Sequence, residues 1–116
     1  MSQKELEQLL TQLQMHNQQL QTIAMQHQAL TIQGKEVDAA LEAVESADDD
    51  IYKSVGPILV KVGKEAIKKE LGEEKEEIGL KLGALDRQEK KIKEKISDMQ
   101  NKFQDLVPQS GVGQGG

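Results

Sequence analysis

The stretch Ile51–Val62, IYKSVGPILVKV, constrains this chain most, because it is the one place where β-forming residues crowd together between two long helical patterns. Two runs rich in Ile, Val and Tyr, Ile51–Val55 and Ile58–Val62, flank the pair Gly56-Pro57. The spacing predicts a β-hairpin with a tight turn at Gly56, a residue free to take positive φ; the Pro that follows leaves the turn type open. Lys53 and Lys61 interrupt the apolar run, while Ile58, Val60 and Val62 share one face and Leu59 lies on the other. A lone two-stranded hairpin is marginal in water, and the chain offers no third strand. The missing strands are therefore expected from other subunits, with Tyr52, Val55, Ile58, Leu59, Val60 and Val62 as the assembly residues.

On either side the apolar residues step by three and four. From Leu6 they run Leu6, Leu9, Leu13, Leu20, Ile23, Leu30, Val37, Leu41 and Val44, with His16, His27 and Gly34 at the remaining positions of the lattice. This is a heptad seam without proline, about 65 Å long if helical from 3 to 47. Ser2 with Glu5 gives the S-x-x-E start pattern, and Asp48-Asp49-Asp50 is expected to end the helix, since acids oppose the negative end of its dipole. Beyond the hairpin Gly63 releases the chain and a second helix is expected over 64–107, with Gly72 as a candidate kink. Its seam reads Ile78, Leu82, Leu85, Glu89, Ile92, Ile96, Met99, Phe103 and Leu106. Pro108 stops it, and 108–116, rich in glycine, is expected to be a disordered tail. The fold class predicted is all-α dominated: a long antiparallel two-helix coiled coil over 1–107, joined by one hairpin at 51–62.

Composition excludes a large globular core, since Tyr52 and Phe103 are the only aromatics and charged residues make up 30% of the 116. No cysteine is present, and no apolar run is long enough for a signal peptide or a membrane span, so a soluble, cytoplasmic protein is expected. The net charge of -5 sits entirely in the first half, where residues 1–63 hold four Lys and nine acids. No basic patch of the kind that grips nucleic acid is visible, and the Lys/Glu mixture from Lys64 to Asp105 reads as a solvated helix face.

Antiparallel pairing of the seams suggests a register. With Val44 beside Ile78, Leu41 falls near Leu82, Val37 near Leu85, Leu30 near Ile92 and Ile23 near Met99. Glu89 then lies opposite Gly34, past which its charge can reach solvent. Leu6, Leu9, Leu10 and Leu13 are left without apolar partners at the far end, close to Phe103, Leu106 and Val107. Such a patch marks a binding surface or, equally, the self-associating end of an ordinary coiled coil.

Nothing in the sequence supports chemistry. His16 and His27 are too far apart to ligate zinc from one helix and no Cys joins them, so no metal is expected. The three Asp lack the alternation and the glycine of an EF-hand loop. Gly56 to Lys64 departs from the P-loop in spacing, and Glu65 follows the Lys where Ser or Thr is required. No cofactor is expected, no dry pocket can enclose the carboxylates, and the protein reads as a non-enzyme.

Tyr52-Lys53-x-Val55-Gly56 opening the hairpin, Leu59-Val60-Lys61-Val62 closing it, and Arg87-Gln88-Glu89 in the second helix make the chain resemble the β subunit of prefoldin, over residues 4–107 and in its archaeal type. Pro57 stands where that family often has a polar residue. The resemblance implies a hexamer of two β-type and four α-type subunits, whose hairpins form an intersubunit β-barrel from which six coiled coils hang. It implies an ATP-independent holdase that grips unfolded clients at the coiled-coil tips, here Leu6, Leu9, Leu10, Leu13, Phe103, Leu106 and Val107, and hands them to a group II chaperonin. The alternative is a structural coiled-coil scaffold that binds one folded partner; a nucleic-acid-binding coiled coil is disfavoured by the acidic first half.

Overall fold

The computed structural model describes residues 2–106. The elements are α1 (Gln3–Ser46), β1 (Ile51–Val55), β2 (Ile58–Val62) and α2 (Lys64–Leu106). The expected hairpin bounds hold, and α1 ends one residue earlier than expected. Val107, the expected end of the second helix, and the tail 108–116 lie outside the described residues, as does Met1.

The described chain divides into two compact units, one of residues 27–84 and one that combines residues 2–26 with residues 85–106. The first holds the hairpin. Its strands pair antiparallel with Ile51 opposite Val62, Lys53 opposite Val60 and Val55 opposite Ile58, so the loop is the two residues Gly56 and Pro57. Gly56 has φ 58°. A type I′ turn needs positive φ at both loop residues, which the ring of Pro57 forbids, whereas type II′ needs it only at the first. The turn left open by the sequence is therefore type II′.

Below the hairpin Val37, Val44, Ile67 and Ile78 are buried between the two helices of this unit, and Gly34, Leu41 and Leu71 are half-buried at the intervening seam positions. Helix α2 runs unbroken through Gly72, and its seam begins at Ile67, eleven residues ahead of the expected start at Ile78. The helix pairing differs from expectation. A Cβ on Gly34 would lie 3.6 Å from Ile78 Cγ2, so Ile78 faces Gly34 and not Val44. Lys75 Nζ lies 2.8 Å from Asp38 Oδ1 and Lys68 Nζ 2.5 Å from Glu45 Oε1, in keeping with the same offset. The slip relative to the expected register is about ten residues.

The cause lies at the hairpin base. Lys64, the first residue of α2, donates from Nζ to the carbonyls of Glu45 (3.0 Å) and Ala47 (3.4 Å), capping the last turn of α1 with a positive charge. This ties the end of α1 to the start of α2, so the pairing is counted from Lys64 and the first turns of α2 already belong to the seam. Lys61 Nζ, 3.5 Å from Asp50 Oδ2, offsets one of the three acids beyond α1, and Lys53 pairs with Glu70, linking β1 to α2.

In the other unit α1 begins with a full capping box. Glu5 N–H donates to Ser2 Oγ (3.1 Å), while Ser2 N–H and Oγ–H donate to Glu5 Oε1 (3.3 and 3.0 Å). Ile23 and Leu85 are buried, and Leu6, Leu9, Leu13, His16 and Leu20 on α1 with Glu89, Ile92, Ile96 and Met99 on α2 are half-buried along the seam. Glu89 belongs to this unit and pairs with Lys93 (3.8 Å) one turn on; its expected place opposite Gly34 is taken by Ile78.

Candidate functional site

Two apolar surfaces stand out. The first is the hairpin. Cross-strand neighbours share a face, so Ile51, Lys53, Val55, Ile58, Val60 and Val62 form one side of the ribbon and Tyr52, Ser54, Leu59 and Lys61 the other. Ile51 and Val62 are half-buried at the base, and the Lys53 ammonium is drawn to Glu70. The remaining apolar side chains stand in the open: Leu59 is 71% exposed, Ile58 58% and Tyr52 56%, with Val55 and Val60 close behind. Both faces of the ribbon thus present aliphatic or aromatic groups, and β1 and β2 each have one edge of backbone N–H and C=O groups without a strand partner among the described residues. Covering such side chains stabilises by roughly 1.5–3 kcal/mol apiece, and unpaired edges are templates for strand addition. Of the expected assembly residues only Val62 lies partly covered.

The second surface is a groove of about 410 Å³ in the unit that holds the start of α1 and the end of α2, where Leu9, Leu10 and Leu13 meet Met99 and Phe103, with Gln100 and Gln104 on its rim. The leucines expected to be left over are therefore not without partners: Leu9 and Leu13 stand in one groove with Met99 and Phe103. Leu6 is half-buried too. What remains open is Leu10, one position off the seam and 48% exposed, and Phe103, 36% exposed. The groove is thus walled by seam residues and accessible through these two. Leu106 closes α2, and Val107 lies outside the described residues. Met99, which the sequence marks only as a seam residue, lines the groove together with Leu13 as a polarizable and adaptable wall.

The charges beside this groove are held locally. Hydrogen bonds from Ser2 keep the Glu5 carboxyl below its ordinary value, with Lys102 a smaller influence from α2. His16 sits on the seam with Nδ1 2.9 Å from Gln19 Oε1, and His27, in the other unit, has Nδ1 3.5 Å from Thr31 Oγ1. Among the described residues no group of three or more His, Cys, Asp or Glu is placed to hold a metal ion, and no helix is long and apolar enough to cross a membrane. The arrangement can cover apolar surface and pair strands.

Known proteins share this design. The family described as prefoldin subunit matches residues 7–110. The chain is 41% identical over 106 residues to the prefoldin subunit beta of Archaeoglobus fulgidus, a match that covers 89% of this chain and 91% of that one. It is 43% identical over 98 residues to the prefoldin subunit beta of Pyrococcus furiosus, covering 83% and 84%. The crystal structure of the prefoldin beta subunit from Thermococcus strain KS-1 superposes with a TM-score of 0.82 at 35% identity, over 90% of this chain and 95% of that chain. The beta2 subunit of the same strain, 22% identical with a TM-score of 0.68, shares the fold.

Proposed function

The chain belongs to the prefoldin family, and on that premise we propose that it is one subunit of an ATP-independent holdase that grips unfolded polypeptides and passes them to a group II chaperonin. The observation that carries this reading is the groove of Leu9, Leu10, Leu13, Met99 and Phe103, open through Leu10 and Phe103. Its lining is aliphatic, thioether and aromatic, and its rim is amide, so it offers affinity for apolar side chains without a charge or metal to demand one sequence. That suits a non-native client, because the hydrophobic effect is non-directional. One groove of this size is a weak grip; several on one assembly raise the effective concentration of the next contact and retain a client that each alone would lose. The exposed hairpin supplies the means of assembly: Tyr52, Val55, Ile58, Leu59, Val60 and Val62 complete a β-barrel with α-type partners in a cytoplasmic hexamer of two β-type and four α-type subunits. No catalytic step is needed for this work, and none is proposed.

The test reconstitutes the complex with α-type subunits and follows aggregation of a denatured client by light scattering. Leu10→Ser with Phe103→Ser, both exposed positions, should leave the hexamer mass unchanged and remove most of the protection. Full protection by the assembled double variant would place the client elsewhere and sink the assignment of the tip.

A further inference from the structure

A second groove, of about 460 Å³, lies in the same unit as the tip groove but nearer its Gln26 end. Its floor is Ile23 and Ile92 with the open side chain of Met15, and its rim is Gln18 and Gln26 from α1 and Gln88 from α2. The three rim glutamines are exposed. Gln19 beside them is engaged with His16, but Gln18, Gln26 and Gln88 carry no side-chain hydrogen bond among the described residues. No Asp, Glu, Lys or Arg occurs between Glu7 and Lys35, so the α1 wall of this groove is without charge in a chain that is 30% charged. The α2 residues that line it, Gln88 and Ile92, are uncharged as well.

We propose that this groove binds the backbone of an extended, uncharged segment of non-native polypeptide, as a second contact for a client whose apolar side chains are held at the tip; the proposal rests on the chaperone reading above. A primary amide offers two N–H donors and a carbonyl acceptor, so three of them around an apolar floor can serve both the C=O and the N–H groups of a peptide. An extended chain repeats those groups along its edges and turns alternate side chains to one side, here onto Ile23 and Ile92. Other occupants fit less well. A charged ligand would be desolvated against an α1 wall that offers no counter-charge, and a purely apolar one would strip water from the amides without replacing its hydrogen bonds. A folded protein has satisfied most of its own backbone, so away from sheet edges it is the unfolded chain that presents free N–H and C=O groups in a row. The groove therefore selects conformation, where the tip selects apolar side chains.

The experiment uses the complex assembled with its α-type partners and two fluorescein-labelled peptides of Leu, Ala and Ser, identical except that one is N-methylated at alternate backbone nitrogens. Fluorescence anisotropy should show the unmethylated peptide binding tighter by on the order of fivefold, as expected for the loss of one or two net hydrogen bonds. With Gln18→Leu, Gln26→Leu and Gln88→Leu together the two affinities should converge, whereas Phe103→Ser should weaken both peptides and keep their ratio. Equal affinity of the two peptides for the native complex overturns the backbone site and leaves the chaperone reading intact. An undiminished ratio in the triple variant overturns it as well. Binding of neither peptide, with no protection of a denatured client, overturns both.

Discussion

Ile78 of α2 packs against Gly34 of α1, with 3.6 Å between its Cγ2 and the place where a Cβ on Gly34 would stand. The β-branched side chain stands beside the glycine, and this contact marks the pairing of the two helices within their unit. It is ordinary van der Waals contact and leaves space for one methyl group. Gly34→Ala should therefore raise the melting temperature, because alanine is favoured over glycine in a helix interior by about 0.8–1 kcal/mol and no clash offsets the gain. Gly34→Leu should lower it, since overpacking costs about 1–3 kcal/mol. Thermal unfolding followed by circular dichroism checks both; a stabilising leucine would mean that Ile78 does not face this site.

Assembly should depend on the open face of the hairpin. Ile58→Asp places a charge among Val55, Val60 and whatever strand covers them, and burying it unpaired costs several kcal/mol. Val60 is a poorer choice for this test, because Lys53 stands directly opposite it and would partly neutralise the new carboxylate. Native mass spectrometry should show the Ile58 variant dissociated from its partners while its helical circular dichroism is kept. An intact complex would remove the hairpin from the interface.

Gly56 is held at φ 58° ahead of Pro57. Gly56→Ala forces a Cβ into the left-handed region at a cost of about 1–2 kcal/mol, and Pro57 prevents relief by a type I′ turn. The hairpin should loosen, read as faster amide hydrogen exchange in β1 and β2 than in the native chain, with α1 and α2 unchanged. Equal exchange rates would show that the turn does not need glycine.

The link between Glu45 and Lys68 predicts a pH dependence. Its hydrogen bond and charge hold Glu45 below its ordinary 4.5 and raise Lys68 above its ordinary 10.5. A depressed carboxyl contributes stability above its unfolded value and loses it as pH falls through the folded one; a raised ammonium contributes below its unfolded value and loses it as pH rises through the folded one. The difference in melting temperature between the native chain and Glu45→Gln should therefore be flat from about pH 6 to 9, shrink below pH 4.5 and shrink again above 10.5. It should be small throughout, because the pair is on the surface and screened. A difference that grows in acid would contradict the pairing.

Where the strands lie and where each helix begins was written in the sequence, because those signals are local. The Ile-Val-Tyr runs around Gly56-Pro57 gave the strands their bounds, Ser2 and Glu5 formed the capping box they spelled, and three-four spacing from Leu6 to Val44 named the covered stripe of α1. The exclusion of type I′ by Pro57 was also available, and only the loop length, set by Val55 pairing with Ile58, was needed to use it. What the sequence did not determine was which residue of α2 each position of α1 meets. A heptad seam resembles itself every seven residues, so sliding one helix along the other keeps apolar groups in register and changes the energy little. A seam taken to begin at Ile78, beyond the candidate kink at Gly72, leaves out Ile67 and Leu71, and a pairing started there lies about ten residues too far along α2. The tertiary structure decided it through one closure, Lys64 Nζ on the carbonyls of Glu45 and Ala47. A contact between residues so far apart in the chain has no periodicity to announce it, and of the four leucines expected to be bare Leu9 and Leu13 wall a groove whose opening is Leu10 and Phe103.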